Sequence, residues 1–346
     1  MTDNTKIEWA RHPVTGKGAT WNPINGCSLV SEGCRHCYAA RLAGTRLKHL
    51  PSRTGLARQN AAGEWKFTGE VRFNDKALTD PLHWRAPRGI FVCAHGDLFH
   101  ENVPDEWIDR IFAVMALCPQ HVFFVLTKRP ERMKKYLGNN GTLGRVLALS
   151  SLWLANDGTT EVRHHDDGFD GLILPNVWLG TSIEDQPTAD TRIPHLLATP
   201  AALRFVSAEP LLGPVDLNWV HFMRDCPPDC EYGGTDPSTG VFECRRCEDT
   251  GKTDELGLDW VIAGGESGPT ARPSHPDWFR SLRDQCTAAG VPFFFKQWGE
   301  FVSVSEQAGS GRHHKFDDGA TVRRIGRSNA VHTLDGVTHN AMPEAS

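Results

Sequence analysis

Short apolar runs recur along the chain, and each ends in small or polar residues before a longer mixed stretch. Seven runs read as strands: Val71–Phe73, Gly89–Ala94, Val122–Thr127, Val177–Thr181, Leu203–Ser207, Trp260–Gly264 and Pro292–Lys296. One more strand is predicted just before Cys27, which makes about eight. Apolar runs separated by helix-length segments are typical of parallel strands covered by helices. The pattern therefore predicts an α/β fold built on a complete or partial parallel (β/α) barrel.

Two helices carry clear boundary signals. Asp105–Leu117 has Pro104 at its entrance and acidic residues in its first turn, which favour a helix start. A second helix is predicted over Asp277–Ala289, where Gly290 and Pro292 stop it. Both lie between predicted strands, as a barrel requires.

Polar residues follow five of the predicted strands. In parallel α/β folds the carboxyl ends of the strands meet at one face, so we expect these residues to border one cavity. The endings are His95, Gly96 and Asp97; Thr127, Lys128 and Arg129; Thr181, Ser182 and Glu184; Ser207 and Glu209; and Gly264, Gly265, Glu266 and Ser267. The candidates for binding a cofactor there are Gly264, Gly265, Glu266, Thr181, Ser182, Ser207 and Glu209.

Three thiols lie within eleven residues near the start of the chain. Cys27, Cys34 and Cys37 are spaced C-x6-C-x2-C. Three thiolates from one loop can hold three corners of a 4Fe–4S cluster and leave the fourth iron open to a ligand. A structural zinc site usually has four protein ligands. The alternative is therefore zinc with a fourth ligand from elsewhere, for which the candidates are His12, His36 and Cys93.

A second cysteine group has the spacing of a zinc ribbon or knuckle, with two close pairs around a Gly-rich, hairpin-like loop. Its members are Cys226, Cys230, Cys244 and Cys247. Four thiolates saturate the metal, so we predict a structural Zn²⁺ in an inserted knuckle over residues 221–257. A second iron–sulfur cluster is the alternative. The three remaining cysteines, Cys93, Cys118 and Cys286, are predicted to be buried and unreactive.

Composition narrows the class of protein. The formal net charge is −5, so binding to nucleic acid would need a local basic patch. No apolar run of about 18 residues exists, which predicts no membrane span. The polar N-terminus lacks a signal-peptide core, so we expect a cytoplasmic protein, in host cytoplasm if a phage encodes it. Ten cysteines in a reducing compartment indicate metal sites more than disulfides.

The chain divides into three predicted parts. Residues 1–220 and 258–300 form one barrel-like catalytic domain, interrupted by the knuckle, and residues 301–346 form a polar C-terminal tail. Within the first part, residues 44–69 carry several basic side chains among Gly, Pro, Thr and Ser. This stretch is either a solvated loop or a contact surface for phosphates or a partner.

Two motifs resemble elements of the radical S-adenosylmethionine enzymes. The last two cysteines of the first group match the signature C-x3-C-x2-C, whereas the first gap is three residues longer. His36 stands where that superfamily usually has an aromatic residue. Gly264-Gly265-Glu266 is similar to the G-G-E element that holds the methionine amino group. In the superfamily this element follows the second strand, whereas here it follows the seventh predicted one.

The full motif set resembles the phage and bacterial three-cysteine-motif family, which is placed near the radical S-adenosylmethionine enzymes. It consists of the cysteine loop, Asp97–His100, Leu126–Pro130, Gly180–Ser182, Ser207–Leu211 and Gly264–Gly268, within Trp9–Trp298. The resemblance implies a radical SAM/TIM-like barrel and a 4Fe–4S cluster on Cys27, Cys34 and Cys37, with S-adenosylmethionine at the open iron. It also implies a reductant such as flavodoxin or ferredoxin.

The resemblance further implies a substrate. Some relatives sit among phage genes for hypermodified thymidine, where a radical isomerase would rearrange an amino-acid group on the thymine methyl carbon. DNA or a modified nucleotide is therefore the expected substrate. Two alternatives remain: a non-catalytic zinc or iron–sulfur module that binds nucleic acid, or a radical enzyme acting on tRNA or damaged DNA.

Overall fold

A computed structural model describes residues 5–157, 172–220 and 257–344, and the backbone of residues 234–235 and 242–243. The strands are β1 (Gly18–Trp21), β2 (Ile24–Asn25), β3 (Ala57–Gln59), β4 (Trp65–Phe67), β5 (Arg72–Phe73), β6 (Gly89–Val92), β7 (Val122–Thr127), β8 (Val177–Ile183), β9 (Leu203–Ala208), β10 (Gly234–Thr235), β11 (Phe242–Glu243), β12 (Trp260–Gly264), β13 (Phe293–Gln297), β14 (Phe301–Ser303), β15 (Arg312–Lys315) and β16 (Thr321–Arg324). The α-helices are α1 (Tyr38–Gly44), α2 (Asp75–Leu78), α3 (Asp105–Ala116), α4 (Pro130–Leu137), α5 (Asn140–Asp157), α6 (Gln186–Leu197) and α7 (Pro276–Ala288). None of the helices in these ranges is both long and apolar enough to cross a membrane.

A seven-stranded parallel sheet is the centre of the fold. Its order is β1-β6-β7-β8-β9-β12-β13, which is also the order along the chain. Each crossover therefore moves one strand further in the same direction, as in a barrel, instead of reversing as in a doubly wound sheet. The sheet curls into a half-barrel, so the prediction of a partial (β/α) barrel is confirmed.

One predicted barrel strand was wrong. The run Val71–Phe73 does not join the large sheet, because its strand β5 pairs antiparallel with β2 in a separate two-stranded sheet. Ile24 of β2 lies opposite Phe73 of β5. This small sheet fixes the start of the cysteine loop, which leaves β2 directly. The large sheet consequently has seven strands and not about eight.

Aromatic side chains fill the concave face of the sheet. The rings of Phe124 on β7 and Trp260 on β12 have centroids 6.1 Å apart, although these strands are third neighbours in the sheet. Strands lie about 4.8 Å apart, so three steps across a flat sheet would separate them by roughly 14 Å. Trp9 fills the middle of the concavity, with its ring 5.6 Å from Phe124 and 6.3 Å from Trp260.

Helices cover the convex face, as the sequence predicts. The predicted helices are confirmed as α3 and α7, with ends one residue from the expected bounds. In α3 the buried residues Ile108, Ile111, Phe112 and Met115 follow helical spacing and pack into the main core. The sheet is therefore buried on both faces, which explains why its strands read as continuous apolar runs.

Residues 301–346, predicted as a polar tail, contain regular structure. Strands β14, β16 and β15 form a small antiparallel sheet. The chain then returns to the edge of the half-barrel, where the Phe295 N–H donates to the His339 carbonyl at 2.8 Å. The Trp260 indole donates to the Ala341 carbonyl at 2.9 Å. This segment therefore covers the open edge beside β13.

The predicted zinc knuckle falls largely outside the described residues. Cys226, Cys230, Cys244 and Cys247 all belong to that part of the chain. Only the antiparallel pair β10 and β11 is described there, and it lies between the two cysteine pairs in the sequence. The knuckle and its zinc therefore stay a prediction.

Candidate functional site

A cavity of about 360 Å³ opens at the carboxyl ends of the barrel strands. The cysteine loop, the hairpin β3–β4 and the ends of six strands border it, and Ile7 and Trp9 form its floor. Eight of the ten residues predicted to hold a cluster or a cofactor here line it: Cys27, Cys34, Cys37, Ser182, Ser207, Glu209, Gly265 and Glu266. The structure therefore brings the three thiols together with five of the polar strand-end residues.

Two predicted residues lie behind the cavity wall. Thr181 is fully buried and donates its hydroxyl to the Thr127 carbonyl at 2.9 Å. Gly264 does not line the cavity, and its carbonyl accepts from the Leu211 N–H at 3.0 Å. A Cβ at Gly264 would lie 2.6 Å from Oε1 of Glu209. Gly264 therefore makes room for Glu209, which does reach the cavity.

The thiol loop is short and tied to regular structure at both ends. Gly26, with a φ of 94°, lets the chain turn out of β2, and a Cβ there would meet the Glu70 carbonyl at 2.1 Å. A 3₁₀ turn then covers Glu32–Cys34, and α1 begins immediately after Cys37. The loop thus presents its thiols from fixed backbone positions.

Arg129 lies beside the first thiol. Its Nη1 donates to the sulfur of Cys27 at 3.5 Å and to Oδ2 of Asp97 at 3.0 Å, and its Nε donates to Glu101 at 2.6 Å. Burial, together with the Asp97 carboxylate, raises the pKa of Cys27 to about 12, although Arg129 opposes the shift. Burial also raises the pKa of Cys37. Both thiols are neutral until a metal displaces their protons.

Glu184 ties the loop to the end of β8. Ser31 of the loop donates its hydroxyl to Oε1 of Glu184 at 2.9 Å, and Lys128 and Arg192 form ion pairs with the same carboxylate. Burial favours a raised pKa for Glu184, but the two cations outweigh it and lower the pKa. Two residues after Ser31 the loop contains Gly33, where a Cβ would lie 2.4 Å from Glu184. The carboxylate therefore anchors the loop at close range.

Glu266 anchors the other side of the loop. It accepts two side-chain hydrogen bonds from Arg272, at 2.7 and 2.9 Å, and one from Nδ1 of His36 at 3.1 Å. Arg272 also donates to the Glu32 carbonyl at 2.9 Å. From the described part of the chain, Oε1 of Glu266 accepts only the Arg272 bond, which leaves a lone pair for a ligand amino group. Glu266, the glutamate of the G-G-E sequence, therefore anchors the loop and also has one acceptor site available to a ligand.

The hairpin β3–β4 was not predicted from the sequence. Its Glu64 contacts Nε2 of His36 at 3.3 Å, and its Lys66 donates to the Arg35 carbonyl. Trp65 packs over Gly44 of α1, where a Cβ would overlap its ring. The Gly-containing turn between two short runs was the signal that could have identified this hairpin.

A carboxylate and an ammonium group lie together elsewhere in the cavity wall. Nζ of Lys296, on β13, is 2.8 Å from Oε1 of Glu209, which follows β9. Ser207 donates to the other oxygen of Glu209 at 3.2 Å. Both charged side chains line the cavity and keep some exposure. The pair offers an acceptor and a donor to a zwitterionic ligand.

The three candidates for a fourth zinc ligand differ in position. His12 does not line the cavity, and its Nδ1 accepts from the backbone N–H groups of Val14 and Thr15. His36 lines it, but both ring nitrogens already face Glu266 and Glu64. Cys93 lines the cavity. Cys93, Cys118 and Cys286 are all buried, which confirms their predicted burial.

Comparison with known proteins adds a family but no activity. No curated protein and no solved structure matches the chain significantly. A family model described as "Protein of unknown function (DUF5131)" matches residues 4–343. The match spans the barrel, the thiol loop and the small C-terminal sheet. The chain belongs to this DUF5131 family of proteins of unknown function.

Proposed function

We propose that this protein is a radical S-adenosylmethionine enzyme with a 4Fe–4S cluster on Cys27, Cys34 and Cys37. The observation that carries the proposal is that three thiols of one loop line the same cavity as the polar ends of the barrel strands. Three thiolates leave one iron open, and the cavity is where a ligand of that iron would lie. When bound and reduced, such a cluster would supply the electron for cleavage of S-adenosylmethionine to methionine and a 5′-deoxyadenosyl radical, which would abstract hydrogen from a substrate.

The number of thiols supports a cluster over a single zinc ion. A structural zinc site usually has four protein ligands, whereas Cys27, Cys34 and Cys37 supply three. Of the histidine candidates for a fourth ligand, His12 does not line the cavity and both ring nitrogens of His36 face carboxylates. Three thiolates match the three protein-held corners of a 4Fe–4S cluster with an open iron.

The surrounding residues have definable tasks. Glu184 and Arg272 hold the loop against the ends of the strands, which fixes the direction in which the thiols point. Trp9 closes the floor with apolar surface and excludes water from below. Glu209 and Lys296 are proposed to bind the amino and carboxylate groups of S-adenosylmethionine or of an amino-acid substrate.

The proposed substrate is an amino-acid-modified thymidine in DNA, which the enzyme would isomerise. This part rests on the family resemblance, since no residue of the cavity identifies a thymine. The cavity is compatible with an amino-acid adduct, because Glu209 and Lys296 complement both of its charged groups. Flavodoxin or ferredoxin is the proposed class of reductant.

Anaerobic reconstitution with iron and sulfide tests the assignment. The expected result is about four irons and four sulfides per chain and formation of 5′-deoxyadenosine from S-adenosylmethionine after reduction. Cys34→Ala should lose both iron and cleavage. Cys118→Ala is the matched control, because it removes a buried thiol outside the cavity and should keep both.

Three results would count against parts of the proposal. Protein that holds only zinc after reconstitution would favour the non-catalytic nucleic-acid-binding module. Unchanged cleavage in Cys34→Ala would remove the loop as the cluster site. Cleavage of S-adenosylmethionine with turnover of tRNA or damaged DNA, but not of modified thymidine, would keep the enzyme class and replace the substrate.

A further inference from the structure

One segment of this acidic protein has no acidic residue. The chain carries 42 Asp and Glu, yet residues 33–63 contain none. The same segment contains six Lys and Arg: Arg35, Arg41, Arg46, Lys48, Arg53 and Arg58. The charge of the chain is therefore segregated, and this segment is its local basic region.

Five of these six cations are exposed, and four of the five are available, because Arg35 pairs with Glu32 at 3.6 Å. Arg41, Arg46, Lys48 and Arg58 are exposed, and none of them forms an ion pair with any residue that the structure describes. Arg53 differs, because it is buried and donates to Nδ1 of His95 at 3.0 Å. Positive side chains without carboxylate partners can attract an external anion, because no nearby negative charge cancels their field.

The basic segment is continuous with the cavity wall. It begins with Cys34 and Cys37, which line the cavity, and Arg41 follows within one turn of α1. At its far end Arg58 lies directly opposite Lys66 in the hairpin ladder, and Lys66, which pairs with Glu64 at 3.2 Å, lines the cavity. Arg58 therefore places an exposed cation beside the cavity wall.

The surface does not have the character of a protein-docking site. Protein interfaces have an apolar centre with a polar rim. In this segment Tyr38 is the one exposed large hydrophobic residue. Three of the four available cations are arginines, whose planar guanidinium groups bind phosphate through paired hydrogen bonds.

We propose that residues 33–63 bind the sugar–phosphate backbone of a nucleic acid beside the cavity, mainly through Arg41, Arg46, Lys48 and Arg58. The placement of this strand beside the cavity rests on the proposed function, in which one of its nucleotides is the substrate. Phosphate contacts fix the position of the strand without reading its sequence. The cavity would then receive one nucleotide, which must leave the base stack.

Fluorescence anisotropy with labelled oligonucleotides tests the proposal. Single-stranded DNA, duplex DNA and RNA of one sequence are titrated between about 50 and 200 mM salt, with and without reconstituted iron. Arg46→Glu combined with Lys48→Glu should weaken binding about ten-fold or more and reduce the salt slope by about two. The matched control is Lys134→Glu with Lys135→Glu, two exposed cations in the last turn of α4, which should change affinity less than about two-fold.

The outcomes separate this inference from the proposed function. Binding by wild-type protein without iron, lost in the first variant and kept in the control, supports the surface even if no cluster forms. The RNA and DNA arms show which nucleic acid is bound. No binding to any oligonucleotide, equal loss in both variants, or displacement by polyglutamate as effective as by unlabelled DNA would overturn it. Thermal melts of each variant establish that the fold is intact.

Discussion

One nitrogen of Arg129, Nη1, donates both to the sulfur of Cys27, at 3.5 Å, and to a carboxylate oxygen of Asp97, at 3.0 Å. The Thr127 hydroxyl donates to Asp97 at 2.7 Å. This bond fixes the carboxylate and therefore the guanidinium group that contacts it. A fixed positive charge next to one ligand of a cluster stabilises the reduced state, which carries one more negative charge. The contact therefore links the end of β7 to the electronic properties of the proposed centre.

Arg129→Gln should lower the reduction potential of the reconstituted cluster. The expected shift is on the order of tens of millivolts, because one nearby positive charge and one hydrogen bond to sulfur are lost. A redox titration followed by electron paramagnetic resonance measures it. Arg132→Gln is the control, since Arg132 donates to the His100 and Val103 carbonyls and has no contact with Cys27. Equal potentials for wild type and Arg129→Gln would contradict this prediction.

Arg272→Ala should destabilise the protein by about 2–3 kcal/mol, because it leaves the buried Glu266 carboxylate without its main partner. The thiol loop also loses the bond from Arg272 to the Glu32 carbonyl. Urea unfolding measures the change. Arg280→Ala is a matched control, since both arginine side chains are 28% exposed but the main partners of Arg280 are the more exposed Asp277 and Asp335. A cost of less than about 1 kcal/mol is expected for the control.

Sequence reasoning succeeded where one local signal was sufficient. The run Val122–Thr127 is almost wholly buried, so its composition alone marks it as a central strand. The meeting of Ser182, Ser207 and Glu266 at one cavity followed from one rule about parallel strands. These predictions needed no knowledge of which strands are neighbours.

Sequence reasoning failed where pairing partners decide the structure. Val71–Phe73 resembles a barrel strand, but only its partner β2 shows that it lies outside the barrel. The small antiparallel sheet of β14, β16 and β15 was not predicted, because β15 is exposed along its whole length and has no alternation of apolar and polar residues. Arg272 lies in a loop without a motif, so its bond to Glu266 is visible only in three dimensions.

Gly180→Ala should destabilise the fold by about 1–3 kcal/mol through overpacking. A Cβ at Gly180 would lie 2.5 Å from the ring of Phe205, which is buried on the neighbouring strand. Gly144→Ala is the control, because nothing lies within 4 Å of a Cβ there and the residue is inside α5. That change should stabilise the helix by up to about 1 kcal/mol. Denaturant unfolding of the two variants should give shifts of opposite sign.

His121 should make stability depend on pH. It is fully buried, Nδ1 accepts from the Arg88 N–H at 3.3 Å, and Nε2 contacts the Pro81 carbonyl at 3.2 Å. Burial lowers the pKa of His121 from 6.5 to about 4. Between these two values the unfolded chain therefore binds a proton that the folded chain does not bind. The free energy of unfolding falls as the pH drops from about 6.5 to about 4.

Urea unfolding at pH 7 and pH 5 tests this dependence. His121 should account for a loss of about 2 kcal/mol between the two values. His121→Gln should remove that part of the slope, whereas His49→Gln, at an exposed position, should leave the slope unchanged. A slope that is the same in all three proteins would show that His121 titrates normally.

The contact between Trp9 and Trp260 has a consequence for how the protein matures. Trp9 and Trp260 are separated by most of the sequence. Contacts between residues so far apart in the chain form slowly, because a large loop must close first. During synthesis the thiol loop leaves the ribosome long before the strand that completes its floor. We therefore expect the proposed cluster to be inserted after the chain is finished, into an already folded barrel.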